Sequence, residues 1–253
     1  MSETAASVDE TAASLEENLA RVRGRIAEAA LRAGRAPEEV TLVAVTKTHS
    51  ADVVLAAYEA GARHFGENRP REGISKITAL EPYLDEAPPT WHMIGHIQSR
   101  KARHVVAHYD MVHSIDRLKI AHRLSRYAEE AETELPVLLE CNISGEGSKY
   151  GFPLEGWEDE TRQQAFFSAV VEILELPGLR VGGLMTMPPY VDDPEEVRPI
   201  FVSLRHLRDA LREHFPSEDW HHLSMGMTND FEVAVEEGAT MVRVGRAIFG
   251  PRG

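Results

Sequence analysis

Eight short apolar runs, separated by longer stretches of helical period, constrain this 253-residue chain more than any other feature. They are Val40–Val45, Arg63–Gly66, His92–Gly95, Met111–Ile115, Pro136–Ile143, Arg180–Met185, His222–Met225 and Met241–Gly245. Their centres step by about 29 residues on average, close to the roughly 30 or more of one strand–helix–strand unit. Such alternation predicts a parallel sheet, and eight units of this size predict a closed (β/α)8 TIM barrel. An open doubly wound sheet also suits the alternation, but it normally shows a glycine-rich dinucleotide fingerprint after an early strand. Here Thr46-Lys47-Thr48 stands in that place, which favours the barrel.

Ahead of the first run, Leu15, Leu19, Val22, Ile26, Ala29 and Ala30 recur at spacings of three and four. That spacing predicts an extra N-terminal amphipathic helix, stopping at Gly34 and Pro37. Residues 1–11 are small, polar and acidic and are expected to form a flexible tail, leaving 12–253 as a single barrel domain. No Ser/Gly/Pro-rich linker divides the chain. The last run ends eight residues before the C-terminus, so no second domain is expected.

Composition narrows the partners. Forty-one acidic against 27 basic residues give a net charge of −14, which repels nucleic acid and anionic membrane surfaces, and no local basic patch offsets it. The single Cys141 excludes an intrachain disulfide and a multi-cysteine metal site, and fits a reducing compartment. The opening MSETAASVDE lacks the basic start and apolar stretch expected of a signal peptide, and no apolar run approaches the roughly 18 residues of a membrane span. A soluble cytoplasmic protein is expected.

In a barrel of this class the chemistry sits where strands end at their C-terminal side. The residues there are Lys47, Glu67 and Asn68, His96, Ser114, Asn142, Thr186, Ser224, and Arg243 to Arg246. Lys47 follows an uncharged run, so burial would lower its pKa and make the amine a nucleophile toward aldehydes. The other reading is a lysine that snorkels to water or pairs with a carboxylate such as Glu67. Ser224-Met225-Gly226-Met227-Thr228-Asn229-Asp230 joins a strand to a helix that opens at Phe231, and Gly245 lets backbone approach closely. Loops after the seventh and eighth strands are where such barrels commonly hold phosphate. Arg243 lies inside an apolar run and is expected to point along the barrel axis, beside a phosphate site or in a structural ion pair. His92, His96, His221 and His222 lack metal-site spacing and read as core or rim residues, and Cys141 as a small buried hydrophobe.

These residues carry a family resemblance. Val43-Ala44-Val45-Thr46-Lys47, Phe65-Gly66-Glu67-Asn68, Trp91 to Ser99, Gly183 to Met187, Leu223 to Phe231, Glu236 to Ala239 and Val242 to Gly250 resemble, in order, the pyridoxal phosphate homeostasis proteins. That family is similar to the N-terminal barrel of alanine racemase. The resemblance implies pyridoxal 5'-phosphate held as an internal aldimine (Schiff base) on Lys47. It implies that Asn68 flanks the cofactor, that Ser224 and the backbone of Gly245 and Arg246 hold its phosphate, and that Arg243 faces the pyridine nitrogen. Two stretches depart from the family pattern: Arg69-Pro70-Arg71-Glu72 after the Gly-Glu-Asn motif, and Arg100 in Gln98-Ser99-Arg100-Lys101.

The resemblance implies a monomer that stores or delivers the cofactor, serves apo forms of pyridoxal-phosphate enzymes, and maintains vitamin B6 and amino-acid homeostasis without robust catalysis. Racemisation needs an acid/base group on each face of the substrate. In alanine racemase the second is a tyrosine from a further domain, and this chain ends where that domain would begin. A guanidinium beside the ring nitrogen also makes a weak electron sink. A pyridoxal-phosphate-dependent amino acid racemase is the alternative, and a Schiff-base aldolase on the same barrel is a third.

Overall fold

Each apolar run becomes a strand because β-branched and aliphatic side chains pack on both faces of a sheet that is buried on both faces. The computed structural model describes residues 2–84 and 87–250, with side chains from residue 13 on. The barrel strands are β1 (Thr41–Val45), β2 (His64–Glu67), β3 (Thr90–Met93), β4 (Met111–Ile115), β5 (Leu135–Asn142), β7 (Leu179–Met185), β8 (His222–Ser224) and β9 (Met241–Val244). All pair in parallel in the order β4-β3-β2-β1-β9-β8-β7-β5. Pairing of Val112 on β4 with Val137 on β5 closes the ring. That closure rules out the open doubly wound sheet, and strand ends fall within a residue or two of those expected.

Two features were not anticipated. A two-residue strand β6 (Phe152–Pro153) pairs with the end of β5, at Cys141 and Asn142. The backbone of α1 runs Ser2–Arg32, so helix is described where an acidic tail was expected over 1–11, and the side chains of that segment lie outside the described residues.

Helices α2 (Ala51–Glu59), α3 (Pro70–Leu80), α4 (Ala102–Val106), α5 (Leu118–Glu130), α6 (Glu160–Leu174), α7 (Arg198–His214), α8 (Phe231–Glu236) and α9 (Arg246–Phe249) surround the strands. Capping starts some of them: Ser50 accepts from the Val53 amide, and Asp159 accepts from those of Thr161 and Arg162. The apolar stripe of α1, from Leu15 to Ala30, is buried as its spacing predicts. This extra helix backs the site, because Arg25 pairs with Glu232 of α8 at 2.8 Å and Asn18 donates to the Ile248 carbonyl of α9 at 2.9 Å.

Period-two alternation divides the strands, with register shifts where β5 pairs with β4 and with β7. Ala44, Phe65, Met93, Val112, Leu139, Leu184, Leu223 and Val242 join the large core beneath the helices. Met111, Leu138, Met185 and Met241 form a separate cluster inside the barrel. His113, Glu140 and Arg243 share the parity of these methionines and are buried above them, so the barrel interior becomes polar toward its C-terminal mouth.

Candidate cofactor site

The site begins with the residues on either side of Lys47, which are tied down separately. Thr46 is buried; its hydroxyl donates to Glu67 Oε1 at 2.6 Å, and its carbonyl accepts from Lys76 Nζ at 2.7 Å. Lys76 also pairs with Glu67 at 2.7 Å and with Glu72 at 2.9 Å. The Thr48 amide donates to the same Glu72 carboxylate, and Thr48 holds a φ of +71°, a left-handed conformation unusual for a β-branched residue. A clamp built from α3 and the end of β2 thus sets the turn that carries Lys47. Burial pushes the Glu67 carboxyl up, and its bonds to Lys76 and Thr46 pull it part of the way back. The Glu67 carboxylate expected as a partner for Lys47 is engaged by Lys76.

Lys47 lies half-buried on the wall of a cavity of about 390 Å³ at the barrel mouth. Asn68, Arg243, Gly245 and Arg246 line the same cavity, so five of the six residues singled out from sequence meet there. Asn68 reaches its place because the loop after β3 carries a glycine: a Cβ on Gly95 would stand 2.3 Å from the Asn68 carbonyl oxygen. The loop after β8 turns at Gly226, where φ is +93° and a Cβ would meet that of Ala234 at 2.6 Å. This turn delivers Met227, Thr228, Asn229 and Asp230 to the wall. Asp230 accepts from the Met227 amide at 2.6 Å, and burial raises its pKa.

Arg243 points inward, as expected. It is buried, donates from Nη1 to Ser224 Oγ at 2.6 Å and from Nη2 to the Thr186 carbonyl at 2.9 Å, and makes no ion pair among the described residues. Burial lowers its pKa to about 10, with Glu140 and Asp230 acting the other way, so it stays cationic at neutral pH. Arg246 is exposed, donates to Asn229 Oδ1 at 3.2 Å, and lies 5.7 Å from the Tyr190 ring centre.

Ser224 does not reach the cavity wall. Its hydroxyl is fully buried between Arg243 and His113 Nδ1, at 2.8 Å from the latter. Sequence reasoning also passed over Met187, Tyr190, Val191 and Pro194, which bring the loop after β7 across the cavity. Met187 closes a motif quoted above but had no assigned role, and the segment from 188 to 194 carries no motif. Thr228 to Asp230 were within a quoted motif but had no assigned role. His92 is buried, whereas His96 sits at the rim, 2.6 Å from Asp116 and stacked on Tyr150 at 3.8 Å. Cys141 is buried, and its thiol pKa is pushed up by burial. Among the described residues, no group of three or more His, Cys, Asp or Glu is placed to hold a metal ion, and no helix is long and apolar enough to cross a membrane.

The cavity joins an amine, two guanidinium groups and two side-chain amides in one hollow of small-molecule size. The model of the alanine racemase N-terminal domain family matches residues 13–253. The pyridoxal phosphate homeostasis protein of Vibrio alginolyticus is 43% identical over 221 residues, covering 87% of this chain and 90% of that one. The protein of that name from Escherichia coli K12 is 42% identical over 238 residues, covering 91% and 94%. The chain belongs to the pyridoxal phosphate homeostasis protein family. PipY of Synechococcus elongatus PCC7942, solved with PLP bound, is 34% identical with a TM-score of 0.76, covering 93% of this chain and 100% of that one. An alanine racemase from Streptomyces coelicolor A3(2), at 20% identity and a TM-score of 0.67, shares the barrel fold. The departures from the homeostasis-protein pattern fall on the surface: Arg69, Arg71 and Arg100 are exposed and none lines the cavity.

Proposed function

We propose that this chain binds pyridoxal 5'-phosphate in the cavity at the barrel mouth, with the Lys47 amine as its point of covalent attachment. It stores the cofactor and delivers it to apo forms of pyridoxal-phosphate enzymes, maintaining vitamin B6 and amino-acid homeostasis. The observation that carries this reading is the meeting of Lys47 with Arg243 and Arg246 in one small hollow of an otherwise acidic protein. The names of the relatives and the PLP-bound PipY structure support it.

The residues present suit the group. When bound, pyridoxal phosphate supplies an aldehyde that condenses with an amine and a pyridine ring that withdraws electrons. Lys47 is a primary amine on a turn whose two flanking residues are held by Glu67, Lys76 and Glu72, so its backbone is positioned before ligand arrives. Arg246, the backbone at Gly245 and the loop 227–229 supply donors for a dianionic phosphate. Ser224 would act on the cofactor only indirectly, by holding Arg243. Asn68 would flank the ring, and Arg243 would face the ring nitrogen. A guanidinium that remains charged is a donor only, so it leaves that nitrogen unprotonated. The ring is then a poor electron sink, which favours a carrier over a racemase. We further propose that the protein works as a monomer in the cytoplasm, as one barrel domain over 12–253.

The test pairs an absorption spectrum of wild type and Lys47→Ala with transfer to an apo transaminase. A visible absorption band that Lys47→Ala removes, with restored transaminase activity only from loaded wild type, is expected. Amino-acid racemisation without transfer would make the chain an enzyme.

A further inference from the structure

Three histidines that the cofactor reading leaves unused form a continuous row through the barrel. His64 Nδ1 lies 3.0 Å from His92 Nε2, His92 Nδ1 lies 2.9 Å from His113 Nε2, and His113 Nδ1 lies 2.8 Å from Ser224 Oγ. Ser224 Oγ in turn accepts from Arg243 Nη1 at 2.6 Å. The row begins at the N-terminal end of β2, where His64 lines a hollow between α1 and the starts of β1 and β2, and it ends at the cavity wall.

Burial favours the neutral form of all three rings: His92 is pushed down to about 3, His113 well below its ordinary value, and His64 in the same direction. A neutral imidazole has one N–H and one lone pair. His92 and His113 each use both nitrogens within the row, so the protons must all run in one sense. If they ran toward Ser224, its oxygen would accept from both His113 and Arg243. The hydroxyl proton would then have no acceptor among the described residues, in a place with no exposure to solvent. Running away from Ser224, every group from Arg243 to the His64 acceptor is paired: Arg243 donates to Ser224, Ser224 to His113, His113 Nε2–H to His92, and His92 Nε2–H to His64.

We propose that His113, backed by His92 and His64, is a positioning residue for the cavity, fixing the Ser224 hydroxyl so that its oxygen only accepts and holds the Arg243 guanidinium at the wall. Ser224 then has no proton to give a phosphate, and its role passes through Arg243. The tautomers belong to the protein alone; the effect on cofactor affinity rests on the pyridoxal phosphate reading.

The test is long-range nitrogen–proton NMR on the full cofactor-free chain labelled at histidine, with peaks assigned by single substitutions. His64, His92 and His113 are expected to carry their proton on Nε2 throughout the neutral range. A proton on Nδ1 of His92 or His113, or a charged ring at either, overturns the proposal. A second arm measures pyridoxal phosphate affinity. His113→Phe keeps the ring volume, removes the acceptor, and is expected to weaken affinity about tenfold. His113→Asn, which keeps an acceptor near the Nδ1 position, recovers part of that loss. Ser224→Ala combined with His113→Phe is expected to cost no more than either alone. Additive losses, or unchanged affinity in His113→Phe, overturn the proposal. A wild-type protein that binds no pyridoxal phosphate would instead overturn the cofactor reading, and the tautomers would still decide the row.

Discussion

Lys76 donates to the backbone carbonyl of Thr46 at 2.7 Å, holding the residue directly before Lys47 from a helix 30 positions further along the chain. The same ammonium neutralises Glu67, whose second oxygen, Oε2, has no partner among the described residues. Removing a buried cation from such a pair leaves an uncompensated charge, which typically costs about 3–5 kcal/mol. Lys76→Met is therefore expected to destabilise the fold by about that amount in urea titrations at pH 7.5. The loss should shrink as pH falls, because burial pushes the Glu67 carboxyl up and a protonated carboxyl leaves no unpaired charge. A loss below about 1 kcal/mol at pH 7.5 would show that the clamp is not a buried pair in solution.

Glu140 sits inside the barrel with its pKa pushed up to about 7, by burial first, then by Asp116, with Arg243 pulling it down. The unfolded chain releases this proton near 4.5, so the folded state holds more protons between about pH 4.5 and 7. The stabilisation from the neutral carboxyl is complete below that window and is lost as pH rises through it, by at most about 3 kcal/mol. Glu140→Gln should flatten this part of the stability–pH curve and leave the variant the more stable protein at pH 8. Identical curves for the two proteins would remove Glu140 as the source.

Thr48 holds its left-handed φ of +71° next to Lys47. Asparagine tolerates that region better than a β-branched residue, so Thr48→Asn should raise stability by about 1 kcal/mol in denaturant titrations. The backbone donor to Glu72 is retained in this variant. A destabilised variant would mean that the threonine side chain, and not only its backbone, holds the turn.

Gly226 admits no side chain: its φ is +93° and a Cβ would meet Ala234 at 2.6 Å. Gly226→Ala should destabilise the protein by about 1–3 kcal/mol. It should also weaken pyridoxal phosphate retention, because the loop 227–230 lines the cavity. Retention equal to wild type, in a folded variant, would take that loop out of the site.

The barrel was legible because its signal is local and repeated. Runs such as Met111–Ile115 and Met241–Val244 are bounded by polar turns, and their spacing alone counts the units. Lys47, Asn68, Arg243, Gly245 and Arg246 were legible for the same reason, since strand ends in a barrel converge. The β6 strand was not, being two residues long and containing proline. Ser224 was read at the head of the loop after the seventh strand; it is the last residue of β8, and which way its hydroxyl bonds depends on His113 and on Arg243, one strand away. The histidine row was hidden because its members, at 64, 92 and 113, come together only through the registers of β2, β3 and β4. Lys76 reaches Thr46 only through the docking of α3, which no spacing along the chain encodes.

The central claim is attachment at Lys47, and borohydride reduction of cofactor-saturated protein followed by peptide mass analysis tests it most directly. The account predicts a pyridoxyl phosphate adduct on the peptide that contains Lys47 and on no other lysine peptide at stoichiometric yield. An unmodified Lys47 peptide from a saturated sample would contradict it.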